Sequence, residues 1–286
     1  MDGSFLLPLA LYLACGALAG FLGGLLGIGG GVFIVALLIT LLPSQGVPPE
    51  HIYTVAIATS LASIVVTSLS SSITHYRKGA VRLDILKSLA PGMFFGTLLG
   101  AGVASYAPSL FLQTFIVLFL FFVGSNMLFN FLKPKAERPL PGPVGTALMG
   151  GGIGAVSSWV GVAGGALTVP FLTFCSVPLH TAIGTAAAGG FPIALGGTIG
   201  YLIGGWNEPN LPPFMFGYIH LIAFAGISFT SFLLAPLGAR TAHRMPVKTL
   251  RRIFAVFLLA VATRLLWKLV ETLVDMGSQT TASLPV

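Results

Sequence analysis

Charge is what this sequence has least of. Of its 286 residues only 7% are charged, while 55% are hydrophobic, and the mean hydropathy is +0.97. A soluble chain of this length needs far more charge to cover its surface, so a soluble globular protein is excluded. Acid is scarcest: there are seven Asp and Glu, and none lies at the centre of an apolar run. Asp84, Glu271 and Asp275 sit at run ends, and Asp2, Glu50, Glu137 and Glu208 in loops or tails. That argues against a carboxylate proton relay and against a carboxylate-rich sodium site, although backbone carbonyls could still hold sodium. Without an embedded acid pair or an HExxH motif, no enzyme is expected. The two cysteines, Cys15 and Cys175, lie in apolar runs and read as small buried hydrophobes. They offer no disulfide framework and no metal centre, so neither metal nor cofactor is expected.

What the chain has in abundance is long apolar runs. Stretches of about 20 residues recur throughout, the length that crosses a bilayer as a helix. The alternating ten-residue segments of a β-barrel are missing. The first run, in MDGSFLLPLALYLACGALAG, lacks a basic n-region and is too long for a signal peptide, so it is expected to stay as a membrane helix. The fold class is therefore an all-α polytopic membrane protein. Helical segments are expected at 5–26, 29–42, 52–75, 85–105, 109–132, 143–160, 163–176, 180–204, 214–237 and 247–270. Turn chemistry separates them, as in LLPSQGVPPEH, YAPS, KPKAERPLPGP, SVPLH and GGWNEPNLPP.

The chain repeats itself. GLLGIGGGVFIVALL (24–38) and SWVGVAGGALTVPFL (158–172) are apolar stretches broken by glycine, 134 positions apart. Gly20, Gly27, Gly30, Gly31 and Val35 recur as Gly154, Gly161, Gly164, Gly165 and Val169. AIATSLA (56–62) recurs as AIGTAAA (182–188). Gly100, Ala101, Ala104, Pro108 and Leu112 recur as Gly238, Ala239, Ala242, Pro246 and Leu250. The expected organisation is an N-terminal repeat at 1–132, a Pro-rich linker at 133–143, a second repeat at 144–270, and a tail at 271–286 in which 277–286 looks unstructured.

Charge orients the repeats. The net charge of +7 comes from 14 Lys and Arg, of which 12 fall in three patches. These are Arg77, Lys78, Arg82 and Lys87; Lys133, Lys135 and Arg138; and Arg240, Arg244, Lys248, Arg251 and Arg252. Membrane topology explains such patches with all three on the cytoplasmic side, and no nucleic-acid partner is needed. An even number of crossings must then separate the second patch from the third. The segments 143–160, 163–176, 180–204 and 214–237 satisfy this only if the Gly-broken pair goes in and comes back. The loop after residue 204 then lies outside while its repeat counterpart, after His75, lies inside. The halves are therefore expected to be inverted, with about five helical segments each, and both termini outside.

Inverted repeats with interrupted helices at matching positions are a transporter architecture, with the substrate site near the midplane. Glycine breaks free backbone N–H groups that lipid cannot satisfy. A helix N-terminus starting at such a break favours an anion. The expected substrate-binding residues are Gly27, Gly29, Gly30 and Gly31 in the first break and Gly161, Gly164 and Gly165 in the second. Thr59, Ser60 and Thr185 on the following helices, and Ser157, Ser158 and Trp159 before the second break, complete the set. Each has a structural alternative. The glycines could serve close helix packing, the hydroxyls could bond a carbonyl one turn earlier, and Trp159 could fill core. His220 could titrate or be a satisfied structural histidine. The hydroxyl-rich TSLSSSITHY (67–76) could line a vestibule or form a helix seam.

GIGGGVFIVALL, AIATSLASIVVTSLSSSITHYRKGAV and VGVAGGALTVPFL followed by VPLHTAIGTAAAG resemble the sulfite exporter TauE/SafE family, over about residues 8–270. The resemblance implies a multi-pass protein of the bacterial inner membrane that moves sulfite, sulfonates or related small organic anions, with export suggested by the family name. Two positions depart from the first repeat: Ala163 stands in place of Gly29 and Ala186 in place of Ser60, so the halves are expected to contribute unequally. The function expected is secondary transport by alternating access. The rivals are an anion channel of the same architecture, a carrier of a non-sulfur organic acid, and a scaffold subunit. The expected partners are a small anion, the lipid bilayer, a coupling proton or sodium ion and, as an option, a second copy in a homodimer.

Overall fold

The computed structural model describes residues 3–129, 139–244 and 246–282. The second basic patch and most of the linker lie outside the described residues. Ten helices occur among them: α1 (Gly3–Leu26), α2 (Gly31–Leu41), α3 (Ile52–Arg77), α4 (Leu83–Ser105), α5 (Ser109–Phe129), α6 (Pro143–Val160), α7 (Gly165–Phe174), α8 (Leu179–Gly204), α9 (Leu221–Ala242) and α10 (Val247–Ala282). Six spans, within α1, α3, α4, α5, α8 and α9, are long and apolar enough to cross a membrane. Their outward faces carry exposed Leu18, Phe95, Leu99, Leu118, Phe122, Phe229 and Leu233, as a lipid-facing surface requires.

Two expected boundaries move by more than a turn and a half, and others shift by less. Residues 214–220 are not helical: Met215–Phe216 (β1) pairs antiparallel with Ile219–His220 (β2), and α9 begins only at Leu221. His220 stops the hairpin and starts the helix, because its Nδ1 accepts from the Ala223 N–H at 3.2 Å. At the other end, α10 continues to Ala282, so 277–282 is helical rather than unstructured. Its 36 residues make a rod about 54 Å long at about 1.5 Å per residue, well beyond a hydrocarbon core of about 30 Å.

The helices meet through small residues, which let backbones approach closely. Gly16, Gly20 and Gly24 of α1 face Ile227, Ser231 and Ala235 of α9, with both numbers rising together. Gly92, Gly96 and Gly100 of α4 face Ala147, Gly151 and Ala155 of α6 in the same sense. α3 and α8 run oppositely, with Leu61 by Gly197 and Ser68 by Gly190. α3 runs alongside α9, joined at Thr59 to His220 and Thr67 to Ser231. α4 runs alongside α8, with Phe94 by Gly196 and Ala101 by Gly200. Exchanging the halves turns α1·α9 into α6·α4 and α3·α9 into α8·α4, and keeps α3·α8 and α5·α10. Along this chain of contacts α1 runs opposite to α6, α3 to α8 and α4 to α9.

α2 folds back along α1. Gly23 lies against Gly29 and Gly30, Ala19 against Gly30, and the Cys15 thiol donates to the Phe33 carbonyl at 3.8 Å. Gln45, just past α2, reaches Tyr12 near the start of α1. With only 11 and 10 residues, α2 and α7 reach about 15 Å each at about 1.5 Å per residue, half a crossing.

Candidate functional site: two helix breaks that meet at mid-length

The breaks form because the backbone there takes left-handed conformations. Gly27, Gly29, Gly30, Gly161 and Gly164 have φ between 70° and 74°, a region that costs an L-residue side-chain strain and suits glycine. α2 and α7 are both preceded by such a glycine, Gly30 and Gly164. Ala163, in the place of Gly29, is not among the positive-φ residues, so the second break is built with one left-handed turn fewer.

The two breaks lie side by side and antiparallel. Gly31 sits against the Gly161 carbonyl and Val162, and Gly165 against the Gly27 carbonyl and Ile28. Between these contacts, a Cβ on Gly29 would stand 2.5 Å from the Ala163 Cβ. Only one methyl fits there, and Ala163 supplies it. Ile64 and Gly190 flank this centre, at mid-length of α3 and α8. Each short helix therefore begins against the other half's break, and two positive dipole ends converge. The N–H groups of Gly29 and Gly30, and of Ala163, Gly164 and Gly165, donate to no backbone or side-chain acceptor among the described residues. First-turn amides of a helix have no intrahelical partner.

The hydroxyls divide. Ser60 sits at the centre, fully buried, and donates to the Gly161 carbonyl at 2.8 Å. Thr59 and Thr185 accept backbone N–H bonds instead, from His220 at 2.9 Å and Arg82 at 3.0 Å, each at the start of a neighbouring helix. Ser157 is buried beside Gly164, 3.2 Å from where that residue's Cβ would lie, and its Oγ has no partner among the described residues. Ser158 donates locally to Ala155 at 2.7 Å. Trp159 points away: its Nε1 donates to Gly100 on α4 at 3.0 Å and its ring packs edge-on against Phe111 and Phe115. Ser60, Ser157 and the seven glycines therefore gather at the breaks, while Thr59, Thr185 and Trp159 fasten surrounding helices and Ser158 bonds within its own. One further group was missed in the sequence. Thr168, in the first turn of α7, is fully buried and its Oγ1 lacks a partner among the described residues. Its signal is a hydroxyl in an apolar run, where the first half has Ile34.

The ends of the bundle differ in charge. Lys78, after α3, neighbours His243, after α9. At the opposite end Glu208 pairs with His51 at 3.4 Å and approaches the Tyr218 hydroxyl at 3.4 Å. Burial, reinforced by Glu208, pushes the Tyr218 hydroxyl up to about 12.

A bundle of long apolar helices with two glycine-broken hairpins meeting at its middle is a multi-pass helical membrane protein. Its residues 12–265 match the model of the sulfite exporter TauE/SafE family, and the chain belongs to that family. It is 35% identical to a probable membrane transporter protein of Haemophilus influenzae, over 90% of this chain and 98% of that protein. A similar protein of Bacillus subtilis, the probable membrane transporter protein YdhB, is 26% identical over 76% of this chain and 88% of its own length. A third, from Methanocaldococcus jannaschii, is 25% identical over 88% of this chain and 92% of that protein. No solved structure matches. The chain is a membrane transporter.

Proposed function

We propose that the protein is a secondary transporter of a small oxyanion of the sulfite or sulfonate type, working in the bacterial inner membrane by alternating access between inverted halves. The observation that carries this is the meeting of two helix N-termini, with unpaired amides, at mid-length of the bundle. Amides and hydroxyls replace the water that an anion must give up on entering a low-dielectric site. Buried, partnerless Ser157 and Thr168 supply further donors in the second half. The antiparallel relation of α3 to α8 and the exchange symmetry of the helix pairs support the inverted arrangement.

Binding tests it. Purified protein is titrated with sulfite, thiosulfate, sulfoacetate, sulfate, acetate and chloride by calorimetry and thermal shift. Saturable stabilisation by a sulfur oxyanion is expected. Ser157→Ala and Thr168→Val should each weaken it about tenfold or more, the usual value of a hydrogen bond to a charged group. Silence from all six anions, or full affinity in both variants, counts against this site.

A further inference from the structure

The seam between α3 and α9 carries polar groups that the breaks do not use. On α3, Thr59, Ser63, Thr67, Ser71 and His75 recur every fourth residue, and all are buried. From the other side come His220, Ser228 and Ser231, all buried, and His243. Thr67 donates to Ser231 at 2.7 Å, and Ser231 to the Ser228 carbonyl at 3.2 Å. His75 Nε2 lies 2.9 Å from the Gly24 carbonyl. A carbonyl only accepts, so the proton is on Nε2 and Nδ1 is left over. That Nδ1, His243 Nε2, Ser71 Oγ and Ser228 Oγ are buried without a partner among the described residues. The rings of His75 and His243 are 5.5 Å apart, and His180 stacks on His243 at 5.9 Å. At the far end of the seam His220 lines a cleft of about 260 Å³ with Tyr12 and Gln45.

The other half shows what packing alone requires. The five α3 positions correspond on α8 to Thr185, Gly189, Ile193, Gly197 and Tyr201, and the four opposite positions to Arg82, Ala90, Met93 and Ser105. The end fastenings survive: Thr185 takes the Arg82 N–H, and the Tyr201 hydroxyl donates to the Ser158 carbonyl at 2.8 Å, the counterpart of Gly24. The hydroxyl row and the imidazoles do not. A buried polar atom without a partner is destabilising, and among the described residues the α4·α8 seam packs without one. Tyrosine holds the same carbonyl without titrating near neutrality; histidine adds a nitrogen that does.

We propose that His75, with His243, forms a proton-binding site on the α3–α9 seam that couples the transport cycle to the proton gradient. The step is a protonation: a proton from water binds the lone pair of His75 Nδ1, the Nε2–H bond to Gly24 stays intact, and release reverses it. The charged ring strengthens its bond to Gly24, three residues before the first break, so proton occupancy reaches the arm that carries the anion site. Two charged imidazoles at this separation repel, so the pair takes one proton at a time. Facing the pair are the Gly24 carbonyl from α1, His180 from α8 and Lys78 from the turn after α3. No carboxylate is among these groups, so the added charge is balanced best by an anion. Proton and anion then favour each other's binding, the linkage of a symporter. His75 is the acceptor because its Nε2 is committed to Gly24 while its Nδ1 is buried without a partner among the described residues, 5.5 Å between ring centroids from His243.

Two measurements on the full chain in nanodiscs and proteoliposomes test this; the flux arm rests on the anion reading above, the spectroscopic arm does not. In ¹⁵N-histidine NMR, His75 should keep its Nε2 proton and titrate at Nδ1 between pH 5 and 8, and His243→Gln should move that titration. A His75 ring that does not titrate in this range overturns the proposal. His75→Tyr keeps the fastening in the form the second half uses. In proteoliposomes it should retain measurable radiolabelled sulfoacetate counterflow that no longer varies with pH, but lose accumulation driven by a pH gradient at least tenfold. Undiminished accumulation in His75→Tyr overturns the coupling role. Absence of counterflow in the wild type speaks against the anion reading, and the NMR titration then decides the proton site by itself.

Discussion

Gly30 takes a left-handed turn, and the carbonyl of Ala19 stands 2.2 Å from where its Cβ would be. Both conditions forbid a side chain. Gly30→Ala should therefore lower stability by about 1–3 kcal/mol from backbone strain alone, and further from the clash. Gly102, in the last turn of α4 with open space around it, sets the contrast: Gly102→Ala should be neutral or stabilise by up to about 1 kcal/mol. Thermal unfolding in detergent separates the two; equal effects would mean that the glycines serve something other than close approach. Thr59 and Thr185 make a matched pair at the same scale. Thr59→Val or Thr185→Val strands a backbone N–H at the start of a neighbouring helix, at a cost of about 1–3 kcal/mol, read in the same assay.

At the scale of elements, helix ends decide more than helix interiors. α9 starts where His220 supplies a cap and ends at His243. Burial lowers the His243 pKa, with His180 and Lys78 adding to the effect. A base whose folded pKa is depressed binds its proton more weakly folded than unfolded. Its contribution to stability is then present above about 6.5 and is lost as pH falls from there through the folded value. Melting temperature should drop over that window in the wild type, and the drop should shrink in His243→Gln. A pH profile identical in the two proteins would remove His243 as its source.

The whole molecule adds sidedness. Lys78 and the end of α9 share one face of the bundle, and Glu208, His51 and Tyr218 the other. With the basic end cytoplasmic, a cysteine replacing Glu208 should react with an impermeant maleimide in intact cells, and one replacing Lys78 only after permeabilisation. The opposite pattern would turn the protein over in the membrane and reverse the assignment of both termini.

Much of this architecture is legible in the sequence by itself. Apolar runs near 20 residues announce spans because lipid leaves a backbone no partner but its own helix. Two matched glycine clusters announce the breaks, because few residues other than glycine turn left-handed without strain. The tertiary structure decided which groups those breaks and helices meet. Sequence periodicity orients a residue on its own helix and says nothing of the helix across from it. It therefore could not tell that Ala163 supplies the one methyl between the breaks, or that Thr59 and Thr185 spend their hydroxyls on neighbouring backbones. Nor could it leave Ser157 and Thr168 without a partner, or bring His75 to His243 across 168 positions. The hairpin at Met215–His220 and the helical 277–282 escaped for a related reason. A two-residue ladder and a polar helix end carry too little apolar pattern to announce themselves. Contacts between distant segments fix them, and those exist only once the chain is folded.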